Sequence, residues 1–317
     1  MRGAVVVAAT CFALITSSAV GAAGVVGGGD DELVPTGKGW GERPAPGPGP
    51  GQGAGQGQGK PQSNNPVSSN GINYHGGPLM TGGPNVYYIW YGKWSGNTAT
   101  TILTDLANNI GGSPYFGINT TYYNASSVHV ANHVRYAGST NDSYSHGTTL
   151  TDSGVQAVVS TAITSGALPL DSNGVYFVLT SSDVNESSGF CTQYCGWHTH
   201  ATIGTSDIKF AFVGNPDRCP SACAELTTTS PNGNIGADGM ASIISHELEE
   251  ATTDPDLNAW YDRRGAENAD KCAWTFGNVS TSTNGSKYNV ALGSRQYLIQ
   301  QNWVNQAGGY CAMSVTH

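Results

Sequence analysis

The stretch Met240–Pro255 contains the side chains whose types and spacing are best suited to chemistry. In a helix, His246 and Glu250 lie one turn apart on the same face, with Glu247 beside them. This is the H-E-x-x-x pattern of metal-dependent hydrolases, with Glu in place of the usual second His. We expect His246 and Glu250 to bind Zn²⁺, which would lower the pKa of a water molecule, and Glu247 to act as general base. The alternative is an acidic helix with a surface histidine.

A helical projection separates the three glutamates of this stretch. At about 100° per residue from His246, Glu250 lies at about 40° and Glu249 at about −60°. Glu247 falls at the edge of the apolar arc, where a carboxylate needs a partner or a raised pKa. Glu249 is expected in solvent. The arc itself, expected to face the core, consists of Met240, Ile244, Leu248 and Ala251.

A third metal ligand must come from outside this helix. We favour Glu267, which follows a turn and has room to return, with Asp270 as its hydrogen-bonded partner. Asp256 and His198 remain alternatives. Asp254 lies two turns beyond His246, about 12 Å along the axis, and is too far away on a straight helix.

The elements that would position these residues alternate between strands and helices. Runs of β-branched and aromatic residues predict strands at 85–91, 128–136, 174–180 and 208–213. Apolar periodicity predicts helices at 98–109, 153–165 and about 239–253, the last capped by Asp238. Residues 190–200 read as a disulfide-tethered loop. The order indicates an α+β, α/β-like fold, a mixed sheet with packed helices.

Composition divides the chain of 317 residues into three parts. Residues 1–23 read as a signal peptide, 24–70 as a disordered Gly/Pro/Gln-rich linker, and 71–317 as a single domain. A net charge of −9 argues against nucleic acid as a partner. No later apolar run is long enough to span a membrane, so we expect a secreted, extracellular or cell-wall protein.

Cysteines and glycosylation motifs agree with that compartment. Apart from Cys11 in the signal peptide, the cysteines form an even set, which predicts disulfides. The pairing is open, with Cys272–Cys311 favoured because each of the other four has a close neighbour; zinc bound by the two C-x-x-x-C pairs is the alternative. Sequons predict a glycoprotein if the host is eukaryotic. They occur at Asn119, Asn124, Asn141, Asn185, Asn278 and Asn284.

A series of ordered motifs resembles a known family, the EXORDIUM-like or phosphate-induced protein 1 family. They are Tyr74–Pro78, Ile89–Lys93, Leu179–Asp183, Phe190–Cys191, Cys195–Gly196 with His198, Val213–Asn215, Cys219–Pro220 with Cys223, and Pro231–Met240. The resemblance implies a secreted cell-wall or apoplastic protein associated with growth control. It supplies no biochemical activity.

One departure from the plant members concerns the helix. The resemblance implies that those proteins lack the His246–Glu247 pair and keep only a Thr-Asn-Pro-like end. This chain therefore resembles a microbial-type branch with a zincin-like HExxE helix, in a zincin-like fold. We expect a secreted zinc-dependent metallopeptidase-like hydrolase acting on extracellular protein or peptide. The alternative is a non-catalytic extracellular or cell-wall protein of the EXORDIUM-like type, involved in growth or signalling, with a cell-wall component as its partner.

Overall fold

The computed structural model describes residues 33–38, 71–306 and 308–315. The expected signal peptide lies outside the described residues, as does most of the expected linker. Among the described residues, no helix is both long enough and apolar enough to cross a membrane.

A five-stranded mixed sheet forms the centre of the domain, in the order β3-β2-β5-β8-β7. All neighbouring strands are parallel except β7 and β8, which are antiparallel. Every residue of β5 is buried, as expected of a central parallel strand covered on both faces. The five strands are β2 (Asn85–Tyr91), β3 (Arg135–Asp142), β5 (Gly174–Thr180), β7 (Gly196–Ile203) and β8 (Ser206–Val213).

Helices join or cover these strands. α1 connects β2 to β3, and α2 lies between β3 and β5 in the chain. The predicted fold class is confirmed, with mixed helix and strand content around a mixed sheet. The α-helices are α1 (Ala99–Asn109), α2 (Asp152–Thr164), α3 (Pro220–Cys223) and α4 (Ile235–Thr253), and the 3₁₀ helices span Phe116–Thr121, Pro216–Arg218 and Asp270–Cys272.

Short strands make up the remaining regular structure. They pair as β1 with β9, β4 with β6, β10 with β11, β12 with β13, and β14 with β15. Their bounds are β1 (Asn73–Tyr74), β4 (Thr149–Leu150), β6 (Asn185–Glu186), β9 (Trp260–Tyr261), β10 (Ser280–Thr281), β11 (Lys287–Tyr288), β12 (Val290–Leu292), β13 (Arg295–Tyr297), β14 (Asn302–Val304) and β15 (Tyr310–Ala312).

Two strand predictions differ from the structure. The strand expected at 128–136 begins only at Arg135 and runs to Asp142. The loop expected at 190–200 ends at Gly196, where β7 begins. β7 pairs with β8 through a two-residue turn at Gly204, whose φ of +63° suits glycine. The disulfide signal hid the strand, and His198 therefore lies on an edge strand rather than on a loop.

Helix α4 is enclosed on nearly all sides. All of its residues are buried except Ile235 and Gly239. It contacts α1, β5, β7, β8, β13 and the 3₁₀ helices at 116–121 and 216–218. Its N-cap is Asn234, whose side chain accepts a hydrogen bond from the Ala237 amide, so the predicted Asp238 cap is wrong by one turn. A helix apolar or buried all round belongs to the core, and its polar residues need internal partners.

Three disulfides connect the periphery to this core. The predicted Cys272–Cys311 pair is confirmed. Cys191–Cys219 and Cys195–Cys223 join the segment before β7 to α3 and the residue before it. The alternative of zinc bound by these four cysteines is therefore wrong.

A short segment of the expected linker contacts the domain. Gly37 accepts a backbone hydrogen bond from the His198 amide on β7, at 2.9 Å, and the Leu33 amide donates to the Arg263 carbonyl at 3.1 Å. Pro35 and Gly37 are buried. For Leu33–Lys38 the structure thus differs from the expected disorder, because its backbone forms hydrogen bonds with β7 and with Arg263. The rest of the linker lies outside the described residues.

Candidate metal centre

Two histidines and three carboxylates meet at the inner face of α4. In one group, His246 Nε2 lies 3.1 Å from Glu250 Oε1 and 3.4 Å from Asp270 Oδ1. One ligand atom from each of these three residues falls within 4.8 Å of the others. All three residues are buried. The helical spacing that places His246 beside Glu250 is the one predicted from the sequence.

A second group shares Glu250 with the first. His198 Nδ1 lies 3.5 Å from Glu250 Oε2, and His198 Nε2 lies 3.5 Å from Glu267 Oε1. These three residues also offer ligand atoms within 4.8 Å of one another. Glu250 therefore presents one carboxylate oxygen to each histidine.

The chain positions these side chains from three directions. Glu250 comes from α4, His198 from β7, and Asp270 from the start of the 3₁₀ helix that contains the disulfide-bonded Cys272. The Asp270 amide donates to Glu250 Oε1 at 2.9 Å, and the Glu267 amide donates to Asp270 Oδ2 at 3.2 Å. The loop that follows α4 is thus held against the helix by the same residues that line the centre.

A glycine allows β7 and α4 to approach closely. A Cβ atom at Gly196 would lie 2.5 Å from Ile243 Cγ2 and 3.1 Å from Glu247 Oε1. Any larger side chain would push the helix away from the strand. The close approach brings the His198 side chain within reach of the α4 carboxylates.

The residues of the centre fit a bound cation. Among the described residues, Glu267 Oε1 and Oε2, Asp270 Oδ1 and His198 Nδ1 are buried and lack a hydrogen-bond partner. Direct charge-assisted hydrogen bonds are about 2.7–2.9 Å long, shorter than the separations of 3.4–3.5 Å. Ligands at about 2.0–2.1 Å from a tetrahedral metal are separated by about 3.3 Å. The spacing therefore suits ligands around an ion better than ligands bonded to each other.

The charges around the centre also favour a bound cation. No Lys or Arg in the described part of the chain forms an ion pair with Glu247, Glu250, Glu267 or Asp270. Burial, with neighbouring carboxylates, raises the pKa of Glu267 well above its usual range and that of Asp270 to about 6. Buried, ionised carboxylates without cationic partners are strongly destabilising, so these carboxylates need positive charge nearby in order to ionise.

The histidines provide part of that charge. Burial opposes protonation of both, but Glu267 and its neighbours raise the pKa of His198, and Glu250 and its neighbours that of His246, well above the usual range. For Glu250, burial is outweighed by His246 and His198, which lower its pKa to about 2. When all four carboxylates are ionised, two imidazolium groups still leave an excess of negative charge.

Glu247 is buried beside the two groups and belongs to neither. Its Oε2 lies 3.5 Å from His198 Nδ1 and lacks a hydrogen-bond partner. Burial raises its pKa to about 7, although His198 and His246 act in the opposite direction. The sequence anticipated a carboxylate at the edge of the apolar arc, and the raised pKa is the property that a general base needs.

The projected position of Glu249 is wrong. This side chain was expected in solvent and is fully buried. Its Oε2 accepts a hydrogen bond from Asn302 Nδ2 at 2.6 Å, and Asn268 donates to its backbone carbonyl at 3.3 Å. A two-face projection fails because the C-terminal segment packs on the side of α4 that faces away from the sheet. Asn119, one of the sequons, is also fully buried there.

Other acidic candidates have different partners. Asp254 is the C-cap of α4, and its Oδ1 accepts from the amides of Asn258 and Ala259, both at 2.6 Å. Asp256 lies 3.8 Å from His200 and 3.4 Å from Lys209. It thus belongs to a partly exposed group, His200–Asp207–Asp256, in which Lys209 already supplies positive charge.

The sequence-derived ligand set is divided between the two groups. His246 and Glu250 are neighbours as expected, while Glu267 lies with His198, and Asp270 takes the place beside His246. The pairing of Glu267 with His198 was not foreseen, because it depends on β7 lying against α4. The sequence signal for the packing of β7 against α4 is Gly196, which precedes a short strand pattern and allows the close approach.

The long helix of this mixed α+β domain thus carries part of a buried centre of histidines and carboxylates. A conserved region described as "Phosphate-induced protein 1 conserved region" matches residues 72–313, and the chain belongs to this family. The family predicted from the motifs is therefore confirmed.

Several plant proteins are similar to the chain over most of their length. Protein EXORDIUM-like 3 of Arabidopsis thaliana is 33% identical over 279 residues, covering 76% of this chain and 82% of the relative. Protein EXORDIUM of the same plant is 27% identical, with 72% and 84% covered. Protein PHOSPHATE-INDUCED 1 of Nicotiana tabacum is 26% identical, with 72% and 83% covered. No solved structure matches the chain. The zincin-like and microbial-type assignments stay predictions.

Proposed function

We propose that this chain is a secreted extracellular or cell-wall protein of the phosphate-induced protein 1 family, in which a buried divalent cation stabilises a non-catalytic domain. His246, Glu250 and Asp270 would hold the ion, and Zn²⁺ suits a site of one imidazole and carboxylates. Three disulfides agree with an oxidising compartment. A cell-wall component or an extracellular protein is the corresponding partner.

The burial of the centre carries the non-catalytic assignment. His246 is 4% exposed, Glu250 1% and Asp270 7%. Structural metal sites are closed by protein ligands, whereas catalytic sites keep a position open to water and substrate. The open depression of about 680 Å³ next to β6 is lined by residues 185–193 with Arg218 and Cys219, and it contains no member of the centre.

Metal analysis of the secreted protein tests this proposal. The chain would be expressed with zinc in the medium, desalted, and its metal content measured by mass spectrometry. We expect bound zinc that survives desalting and whose amount falls in a His246→Ala variant. A His200→Ala variant removes a histidine from the partly exposed group and should retain the metal. Protein that contains no metal, although it is folded and fully disulfide-bonded, would contradict the proposal.

A hydrolase is the second candidate, and Glu247 is the observation that favours it. Its Oε2 lacks a hydrogen-bond partner and lies 3.5 Å from His198 Nδ1, and burial raises its pKa to about 7. A Lewis-acidic ion in this centre would polarise a scissile carbonyl of an extracellular protein or peptide. Glu247 would then hold and transfer the proton. This reading requires the centre to become accessible to a substrate.

A Glu247→Gln variant separates the two candidates. If the chain is a hydrolase, the variant keeps its metal and its fold but loses cleavage of a peptide library. If wild type and variant both leave the library intact, the hydrolase is refuted and the structural role of the ion stands. Equal cleavage by both proteins would exclude Glu247 as the base.

A further inference from the structure

Glu250 contacts both histidines through different oxygen atoms. Oε1 faces His246 at 3.1 Å and Oε2 faces His198 at 3.5 Å. A carboxylate that served one ion alone would need only one of these neighbours. Its two oxygens face different histidines, and Glu250 is a member of two ligand groups, each with its own histidine and its own further acidic residue.

The second group has the same composition as the first. His246 is accompanied by Asp270, and His198 by Glu267, with Glu250 common to both. In a protein whose loops bring ligands to α4 for a single ion, a complete second set would have no purpose. The duplication of one imidazole and one terminal carboxylate on each side of a shared carboxylate is the arrangement of a bridged pair of ions.

Unsatisfied atoms occur in the second group independently of the first. Both carboxylate oxygens of Glu267 are buried without a hydrogen-bond partner, and Glu267 is 0% exposed. One ion at His246 and Asp270 would leave this carboxylate with the His198 imidazole, 3.5 Å away, as its ion-pair partner. Burying a carboxylate is costly, and a second cation on this side would bind the oxygens that lack a hydrogen-bond partner.

The negative charge of the centre also indicates two ions rather than one. Glu247, Glu250, Glu267 and Asp270 carry four negative charges when ionised, and neutral imidazoles are the form that binds metals. A single divalent ion would leave two of these charges uncompensated, and two divalent ions balance all four. No Lys or Arg of the described residues is close enough to substitute for the second ion.

We propose that the centre holds two divalent metal ions bridged by Glu250, one bound by His246 and Asp270 and the other by His198 and Glu267. This inference rests on the proposed metal-binding function and extends it. Carboxylate-bridged ions stand about 3.5–4 Å apart in proteins. Glu247 would neutralise the pair from the side of His198.

Stoichiometry distinguishes the failure of this inference from the failure of the proposed function. The full chain would be refolded or secreted without metal, loaded with Zn²⁺, desalted and analysed. We expect two ions per chain in the wild type, one in Glu267→Gln and one in Asp270→Asn. No bound ion in the wild type refutes the proposed function itself. One ion in the wild type leaves that function standing and overturns the bridged pair.

Spin coupling tests whether the two ions are neighbours. The protein loaded with Mn²⁺ should give an electron paramagnetic resonance spectrum in which exchange coupling broadens and weakens the six-line signal. Glu267→Gln should restore the six lines of an isolated ion. Two bound ions with an uncoupled spectrum in the wild type would overturn the bridge.

The partly exposed group supplies a matched control. Asp256→Asn removes one carboxylate from the group of His200 and Asp207, which has the same donor types outside the centre. It should change neither the count nor the spectrum. If a centre variant fails to fold, as judged by near-ultraviolet circular dichroism, the wild-type count and spectrum still decide the question, and His198→Gln provides a second single-ion variant.

Discussion

Glu249 and Glu250 are neighbours in sequence, equally buried, and located in opposite environments. Glu250 lies between two histidines, which lower its pKa to about 2 despite burial. Glu249 lies in an amide pocket formed with Asn119, Asn268 and Asn302, and burial raises its pKa well above the usual range. One side of α4 therefore keeps a charged carboxylate and the other a neutral acid.

The difference shows how a buried helix can contain many carboxylates. On the sheet side, the cost of burying charge is offset by positively charged partners, namely the imidazolium groups in the metal-free protein and the proposed ions once they are bound. On the other side it is avoided, because the acid keeps its proton and the amides hydrogen-bond to it. Residue type and helical position alone do not tell the two apart; the partners that arrive from β7 and from the C-terminal segment do.

Substitution of Glu250 should have the largest effect. Glu250→Gln keeps the shape of the side chain but removes the negative charge between His198 and His246. The binding of both proposed ions and the hydrogen bond from the Asp270 amide should therefore weaken. We expect the free energy of unfolding to fall by about 3–5 kcal/mol, the range for breaking a buried ionic group. Denaturant titration of the purified variant measures it. A loss below about 1 kcal/mol would mean that the centre contributes little to folding.

Removal of metal should destabilise the protein through the Glu250 side of α4 and not through the Glu249 side. At a free metal concentration of about 100 times Kd, bound metal contributes about 2.7 kcal/mol per independent site. Excess chelator should therefore lower the melting temperature of the wild type clearly and that of Glu250→Gln little. Differential scanning calorimetry with and without chelator provides the measurement. Equal shifts in both proteins would place the metal elsewhere.

Substitution of Glu249 should have the opposite sign. Its pKa is 4.5 in an unfolded chain and raised in the folded protein, so between these values only the folded state holds the proton. Stability therefore decreases as pH rises through this window. In Glu249→Gln, the glutamine side chain has nearly the shape of the protonated glutamic acid, but it does not titrate. We expect the free energy of unfolding of the variant to match that of the wild type near pH 4. Above the folded-state pKa of Glu249, we expect it to exceed that of the wild type by about 1–3 kcal/mol.

Urea titrations across that pH range measure both proteins. Because Glu249 faces away from the histidines, its variant should bind metal like the wild type. A variant that is less stable than the wild type at every pH would show that Glu249 is charged in the folded protein, and the contrast between the two glutamates would then disappear.

The sequence predicted one side of this comparison much better than the other. Strands at 85–91 and 174–180 and the long helix were recognisable because apolar and aromatic runs repeat with the period of their secondary structure. The proximity of His246 to Glu250 follows from local helix geometry. The apolar arc of Met240, Ile244, Leu248 and Ala251 is buried as predicted.

What the sequence missed depends on long-range packing. The amide pocket of Glu249 forms from residues at 119, 268 and 302, which no local pattern connects. The Glu267–His198 contact depends on β7, whose strand was obscured by two cysteines and a glycine. A helical projection assumes one dry side and one wet side, and it fails when both sides are covered.

The smallest predicted effect concerns the segment Leu33–Lys38, which contacts β7 at His198. Its Gly37 has a φ of +68°, and a Cβ atom there would lie 1.9 Å from the His198 carbonyl oxygen. Gly37→Val should therefore detach this segment from β7 while the three disulfides and the sheet remain. We expect chelator to remove metal severalfold faster, with equilibrium stability changed by about 1 kcal/mol or less. Stopped-flow release into a chromogenic chelator measures the rate, and Thr36→Val, on an exposed side chain of the same segment, is the control. An unchanged release rate in Gly37→Val would mean that metal leaves the centre by a route that this segment does not cover.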